Sequence, residues 1–208
     1  MTFKRILTVV GVLALAAIPS FADVAFIVPP SSPGQLDWGL GSAVNLGMIF
    51  SPSTDISVVG LGTYYQDAGG NTPGQIEVVE LFQNSTQNVL ASATIVFTAG
   101  APGYQYNPIA PVTLLAGQQY TVDTFVGNNS WAWSPQPLTD PNITFVDTSY
   151  VYGPSPAFPV DHYPAGGYYG PNLEFAVVTP EPGFYSIFAL FALALTGLFA
   201  AMRRRQNA

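Results

Sequence analysis

Cysteine is absent from this 208-residue chain. That excludes disulfides, thiolate nucleophiles and sulfur-ligated metals. Basic residues are almost absent as well. The five are Lys4, Arg5, Arg203, Arg204 and Arg205, so none lies between Ile6 and Met202. Nucleic-acid partners are excluded by the same fact, because phosphate backbones are held by cationic side chains. Direct attraction to anionic lipid is excluded likewise. With one histidine, His162, a site needing two imidazoles cannot form within one chain. No Gly-x-Ser-x-Gly turn exists, and no lysine follows any glycine to make a phosphate loop.

Acidic residues are present in number. From residue 23 to 180 they are Asp23, Asp37, Asp55, Asp67, Glu77, Glu80, Asp123, Asp140, Asp147, Asp161 and Glu174, uncompensated by any base. Such a charge keeps an apolar β protein dissolved.

The two ends differ from the middle. Lys4 and Arg5 precede an uncharged run over 6–18, and Ser20 and Ala22 stand at −3 and −1 of a cut after Ala22. This is the layout of a secretory signal peptide over residues 1–22. Residues 184–202 are uncharged and nearly all apolar, and Arg203, Arg204 and Arg205 follow at once. Nineteen residues at 1.5 Å each give roughly 28 Å, about one hydrocarbon thickness. The expectation is one transmembrane helix over 184–202 with a basic cytoplasmic tail over 203–208. The localisation expected from this is export, through an inner-membrane-anchored precursor, to the cell surface or the extracellular space.

Between these segments, residues 23–178 read as β structure. Candidate strands are 24–28, 44–50, 56–65, 75–82, 89–97, 109–115, 119–127, 143–149 and 173–178, rich in Val, Ile, Thr, Tyr and Phe and parted by Gly, Pro, Asn and Asp. Glu77, Val79 and Leu81 alternate with Ile76, Val78 and Glu80. The fold class expected is all-β, an antiparallel jelly-roll-like β-sandwich between the signal peptide and the transmembrane helix. Residues 135–141 and 152–171 read as long irregular loops, the places where a β scaffold carries ligand contacts.

Two resemblances add to this. Pro180, Glu181 and Pro182, followed by the apolar span and the arginine cluster, resemble the PEP-CTERM sorting signal. The resemblance implies a Pro-Glu-Pro motif at 179–183 recognised by an exosortase-type protease, with membrane contact during sorting, in a bacterium that makes exopolysaccharide or biofilm matrix. The segments 46–50 (LGMIF), 56–65 (ISVVGLGTYY), 77–82 (EVVELF), 89–94 (VLASAT), 115–122 (LAGQQYTV) and 167–175 (GYYGPNLEF) are similar to an uncharacterised bacterial extracellular β-sandwich domain. That resemblance implies a fold and no activity.

Chemistry has few carriers. No catalytic, cofactor or metal site is expected. Asp161 and His162 are adjacent and offer at most a weak pair of ligands. Glu77 and Glu80, three apart on a strand, face opposite ways, so a carboxylate pair would have to come from separate strands. Structural calcium has two oxygen-rich loops to consider, Asp67 with Asn71, and Asp140, Asn142 and Asp147. Neither has the spacing of the regular calcium loop. Asn84, Asn128 and Asn142 head acceptor-type sequons. Trp131 and Trp133 lie two apart and share a face if extended. With Tyr168 and Tyr169, and Tyr163 nearby, they are the expected glycan contacts. Three readings follow: a structural protein of the surface or matrix without catalysis, an exopolysaccharide-binding module, and a glycan-acting enzyme.

Overall fold

The computed structural model describes residues 22–27, 35–37, 43–65, 71–101, 103–127, 131–134, 138–163, 167–168 and 170–178. The chain divides into two compact units, 1–176 and 177–208. The described strands lie in the first, apart from the last residue of the last one. In chain order they are β1 (Asp23–Val24), β2 (Phe26–Ile27), β3 (Gln35–Asp37), β4 (Val44–Pro52), β5 (Ile56–Tyr65), β6 (Ile76–Gln83), β7 (Asn88–Val96) and β8 (Gly103–Leu114). Then follow β9 (Tyr120–Val126), β10 (Trp131–Ser134), β11 (Leu138–Thr139), β12 (Ile143–Tyr152), β13 (Asp161–His162), β14 (Gly167–Tyr168) and β15 (Pro171–Val177).

Among the described residues these strands form four sheets. The largest runs β13-β12-β4-β9-β6-β7, and the second β1-β15-β5-β8. Two small ones are β14-β10-β3 and β11-β2. Pairing in the six-stranded sheet is antiparallel throughout. Its central strand β4 is buried on both faces, with one half-buried residue. That is why the alternation expected of a half-buried strand is missing there.

The core draws side chains from both of the larger sheets. Met48, Phe50, Ile56, Val58, Leu61, Val79, Leu81, Val122 and Phe175 are fully enclosed. Phe50 packs edge-on to Phe26 at 6.0 Å and tilted against Tyr120 at 6.1 Å. Several polar groups of the interior are paired. The Thr63 hydroxyl donates to Glu77 Oε2 at 2.7 Å, and Asn71 Nδ2 donates to Glu77 Oε1. Asn172 ties the N-terminal strand down: its Oδ1 accepts from the Phe26 N–H, and its Nδ2 donates to the Phe26 carbonyl at 2.8 Å.

Several expectations are met closely. The strand expected at 56–65 is β5, and the expected alternation is present in β6, where Glu77, Val79 and Leu81 are buried and Ile76, Val78 and Glu80 are not. Others are corrected. The strand expected at 109–115 begins at Gly103. Its two prolines, Pro108 and Pro111, sit on a sheet edge, where no ladder N–H is lost. The loops expected at 135–141 and 152–171 contain β11, β13 and β14. These are two-residue strands, too short for any periodicity to show.

The jelly-roll-like sandwich is also corrected. The described strands divide among four separate sheets and close into neither a barrel nor a sandwich. Short Gly- and Pro-punctuated segments pair locally into the two small sheets instead of extending the large ones. The transmembrane helix is corrected too. Among the described residues there is no helix of any kind, and none long and apolar enough to cross a membrane. An inner-membrane-anchored precursor therefore has no helical anchor in the described structure. Apolar length measures transfer into lipid and does not by itself specify a helix. The span 184–202, like the signal peptide 1–22, lies outside the described residues.

Candidate functional site: an amide-lined cleft under a proline-rich strap

The outer face of the six-stranded sheet carries a cleft. The row of register partners across it is His162, Ser149, Gly47, Asp123, Glu80 and Ser92. Directly opposed residues share a face, so these six positions lie on one side. Residues 153–160 form a strap over that side. It holds Pro154, Pro156 and Pro159, which stiffen it. Asn45, fully buried on β4, pins it. Asn45 Oδ1 accepts the Ala157 N–H at 3.0 Å, and its Nδ2 donates to the Ser155 carbonyl at 3.1 Å. Phe158 stacks edge-on to Phe82 of β6, with centroids 5.3 Å apart. Pro159 packs on Gly47, where a Cβ would stand 2.8 Å from its Cγ. Glycine at 47 is therefore what lets the strap lie against the sheet.

Where the strap meets the sheet end there is a cleft of about 310 Å³. Phe158, Pro159, Val160 and Ile49 supply its apolar wall, and Asn84, Gln87, Gln119 and His162 its polar one. Each polar group is positioned. Asn84 Oδ1 accepts the Thr121 hydroxyl at 2.8 Å, which leaves its amide N–H groups to donate. The Asn84 N–H donates to the Gln119 carbonyl, so the two amides sit on adjoining strand ends. Gln87 adopts φ 58° in the β6–β7 turn, a left-handed conformation uncommon for a residue with a long side chain. His162 Nδ1 lies 3.1 Å from Asp147 Oδ2, and that contact orients the ring.

No carboxylate or fixed cation lines the cleft. Primary amides both donate and accept, and an aromatic ring offers a flat apolar face. This combination suits a neutral polyhydroxyl ligand. The volume is at the small end for ligand sites, about 300–1,000 Å³, which matches one sugar ring.

Below the strap, Asp123 is fully buried, and neither of its carboxyl oxygens has a hydrogen-bond partner. Burial first, and then the charge of Glu80, raises its carboxyl well above the ordinary value. Glu80 is half-buried, and its carboxyl is also raised by burial. A carboxylate pair from separate strands thus exists, but it lies under the sheet's cover and outside the cleft.

The expected glycan contacts fall elsewhere. Trp131 and Trp133 are on β10, which is extended as anticipated, between β3 and β14. Trp133 is the register partner of Tyr168, and Trp131 of Asp37. Three of the four expected residues are therefore on adjacent strands of one small sheet, while Tyr169 lies outside the described residues. Tyr163 is exposed beside β13. The sorting residues Pro180, Glu181, Pro182, Arg203, Arg204 and Arg205 lie outside the described residues as well.

Asp161 and His162 are both exposed on β13, and His162 Nδ1 meets Asp147 Oδ2 across the strands. Asp140 Oδ1 accepts both N–H groups of Asn142, at 2.8 and 3.0 Å, the geometry of an ordinary Asx turn. Asn71 bonds Glu77, and Asp67 is outside the described residues. Among the described residues no three His, Cys, Asp or Glu side chains gather to hold a metal. Of the sequon asparagines, Asn84 lines the cleft, Asn142 closes the Asx turn, and Asn128 lies outside the described residues.

Sequence reasoning missed the cleft. Its polar residues come from three segments far apart in the chain, and none belongs to a spaced motif. The one local signal was Pro-rich 153–160, a stretch too regular in proline to be a random connection. No curated protein matches the chain. Residues 31–170, more than half of the chain, match the family model described as "Domain of unknown function (DUF4082)", and the chain belongs to that family.

Proposed function

We propose that the chain is an exported, non-catalytic β domain that attaches to extracellular polysaccharide by holding a neutral sugar unit in the strap cleft. The observation that carries this is the convergence of Asn84, Gln87, Gln119 and His162 opposite Phe158, with no carboxylate among them. The overall charge of −7 repels anionic polymers, which narrows the ligand to neutral glycans. Hydrolysis by a carboxylate pair has neither acid nor base in the cleft, and this supports binding over catalysis. Export is supported by the charge and small-residue layout of residues 1–22. The Pro180-Glu181-Pro182 resemblance supports a surface or matrix destination, with an exosortase-type protease as the processing partner. A second contact surface on β10 and β14 is favoured by the Trp133–Tyr168 register.

Affinity electrophoresis of the full chain through gels containing a neutral glucan, a neutral galactan or a uronate polymer tests the reading. Retardation by a neutral polymer alone is expected. Phe158→Ala should weaken it roughly 2- to 10-fold, since an aromatic stacking contact is worth about 0.5–1.5 kcal/mol. Unchanged retardation in Phe158→Ala, combined with loss in Trp131→Ala/Trp133→Ala, would move the site to β10. Retardation by none of the three polymers would end the glycan reading.

A further inference from the structure

Three facts place Asp123 beneath the strap. Ala157 is bonded to Asn45 on β4, and Phe158 packs on Phe82 of β6. The strand between β4 and β6 is β9. With Ala157 and Pro159 both seated on β4, the Phe158 side chain is what reaches across β9 to Phe82, on the face that holds Asp123 and Thr121. Asp123 is fully enclosed there, with both oxygens unpartnered. Ser149, in the same row, also has an enclosed hydroxyl without a partner. An ionised carboxylate in that position would lack any donor, which is among the most costly arrangements in a protein interior. Lifting the strap is the route by which water reaches it. The same lift removes Phe158, Pro159 and Val160, three of the four residues of the cleft's apolar wall.

We propose that a proton on Asp123 keeps the strap closed on the sheet, so that the cleft and its sugar binding are lost as pH rises. This rests on the reading of the cleft as a sugar site only for its last clause; the closing of the strap stands without it.

The groups that face Asp123 are few. Glu80 on β6 is its register partner, and its charge adds to the cost of ionising Asp123. β4 offers Asn45, Gly47 and Ile49 on this face, none titratable. β12 offers Ser149 and, farther along, Asp147, which is engaged with His162 of β13. Residues 153–160 contain no titratable side chain.

The sign follows from linkage. The closed state holds the proton on Asp123 more tightly than the open state does, because burial raises the carboxyl. Closure is fully favoured below the ordinary carboxyl range. It weakens with rising pH until the closed-state value is passed, by at most about tenfold per pH unit for one proton. Sugar binding, by reciprocity, would be accompanied by proton uptake.

The test is amide hydrogen exchange at Ala157 in the full chain from pH 5 to 9, corrected for the intrinsic pH dependence of exchange. Wild-type protection should fall by several-fold to tenfold per pH unit over part of that range. Asp123→Asn, which cannot ionise, should hold its protection within about twofold. Glu80→Gln, at a half-exposed position, removes the neighbouring charge that raises Asp123, so the closed-state value falls and the loss of protection levels off at a lower pH than in the wild type. Equal protection of wild type and Asp123→Asn at every pH overturns the proposal, as does a Glu80→Gln profile identical to wild type. A parallel titration with the neutral glucan or galactan separates the two readings. If exchange follows Asp123 but no sugar binds at any pH, the strap is pH-gated and the cleft has another ligand.

Discussion

Asn45→Ala should destabilise the protein by about 2–4 kcal/mol and abolish sugar binding at the strap cleft together. Asn45 is fully buried on β4, and its amide serves the strap from both ends. Truncation leaves the Ala157 N–H and the Ser155 carbonyl without their partner. Each buried polar group left unpaired costs about 1–3 kcal/mol. The strap is partly exposed on its outer side, so water recovers some of that loss; the lower half of the summed range applies. Binding suffers more than stability, because Phe158 and Pro159 are held over the cleft only by this anchor and by their own packing on Phe82 and Gly47. Urea denaturation and gel retardation on one preparation check both effects. A variant with lowered stability and intact retardation would show that Phe158 and Pro159 hold themselves in place. Asn45→Asp is a useful companion: it keeps an acceptor for the Ala157 N–H and loses the donor to Ser155, so an intermediate effect is expected.

Phe50→Ala should cost about 3–5 kcal/mol, the range for removing a large buried aromatic ring. Phe50 is fully enclosed and touches the rings of Phe26 and Tyr120. Its loss opens a hole between the N-terminal strand β2 and the central strand β4. Phe26 is held at its backbone by Asn172, so the chain there cannot move far to refill the space. The measurement is the unfolding free energy from a urea titration with the slope held in common. A loss below about 1.5 kcal/mol would mean that the core relaxes around position 50 and that β2 contributes little.

The register explains why these two residues differ in function although they stand five apart on one strand. Phe50 is on the β4 face turned to the shared core, with Met48 and Leu46. Asn45, Gly47 and Ile49 are on the other face, under the strap. Both faces are covered, and so β4 carries apolar residues on one side and the anchor, the gap and the cleft floor on the other.

Sequence alone determined the all-β class, most strand positions, and the alternation of Glu77, Val79 and Leu81 with Ile76, Val78 and Glu80. Those properties are local. They follow from β-branched and aromatic runs, from turn residues and from charge placement, each legible within about ten residues. Sequence reading also put Trp131 and Trp133 on an extended piece, and β10 is one. Tertiary structure decided how the strands group, because pairing partners are chosen by contacts across the whole chain and two-residue strands leave no periodic trace. It decided that Asp123, one acid among eleven between residues 23 and 180, is enclosed without a hydrogen-bond partner among the described residues, since β9 lies between β4 and β6 only in the folded sheet. It decided likewise that His162 meets Asp147 and not its neighbour Asp161. The cleft belongs wholly to this second group. Asn84, Gln119, Phe158 and His162 come from four separate elements, and nothing joins them until antiparallel pairing brings those strand ends together under a strap that glycine at position 47 allows to lie flat.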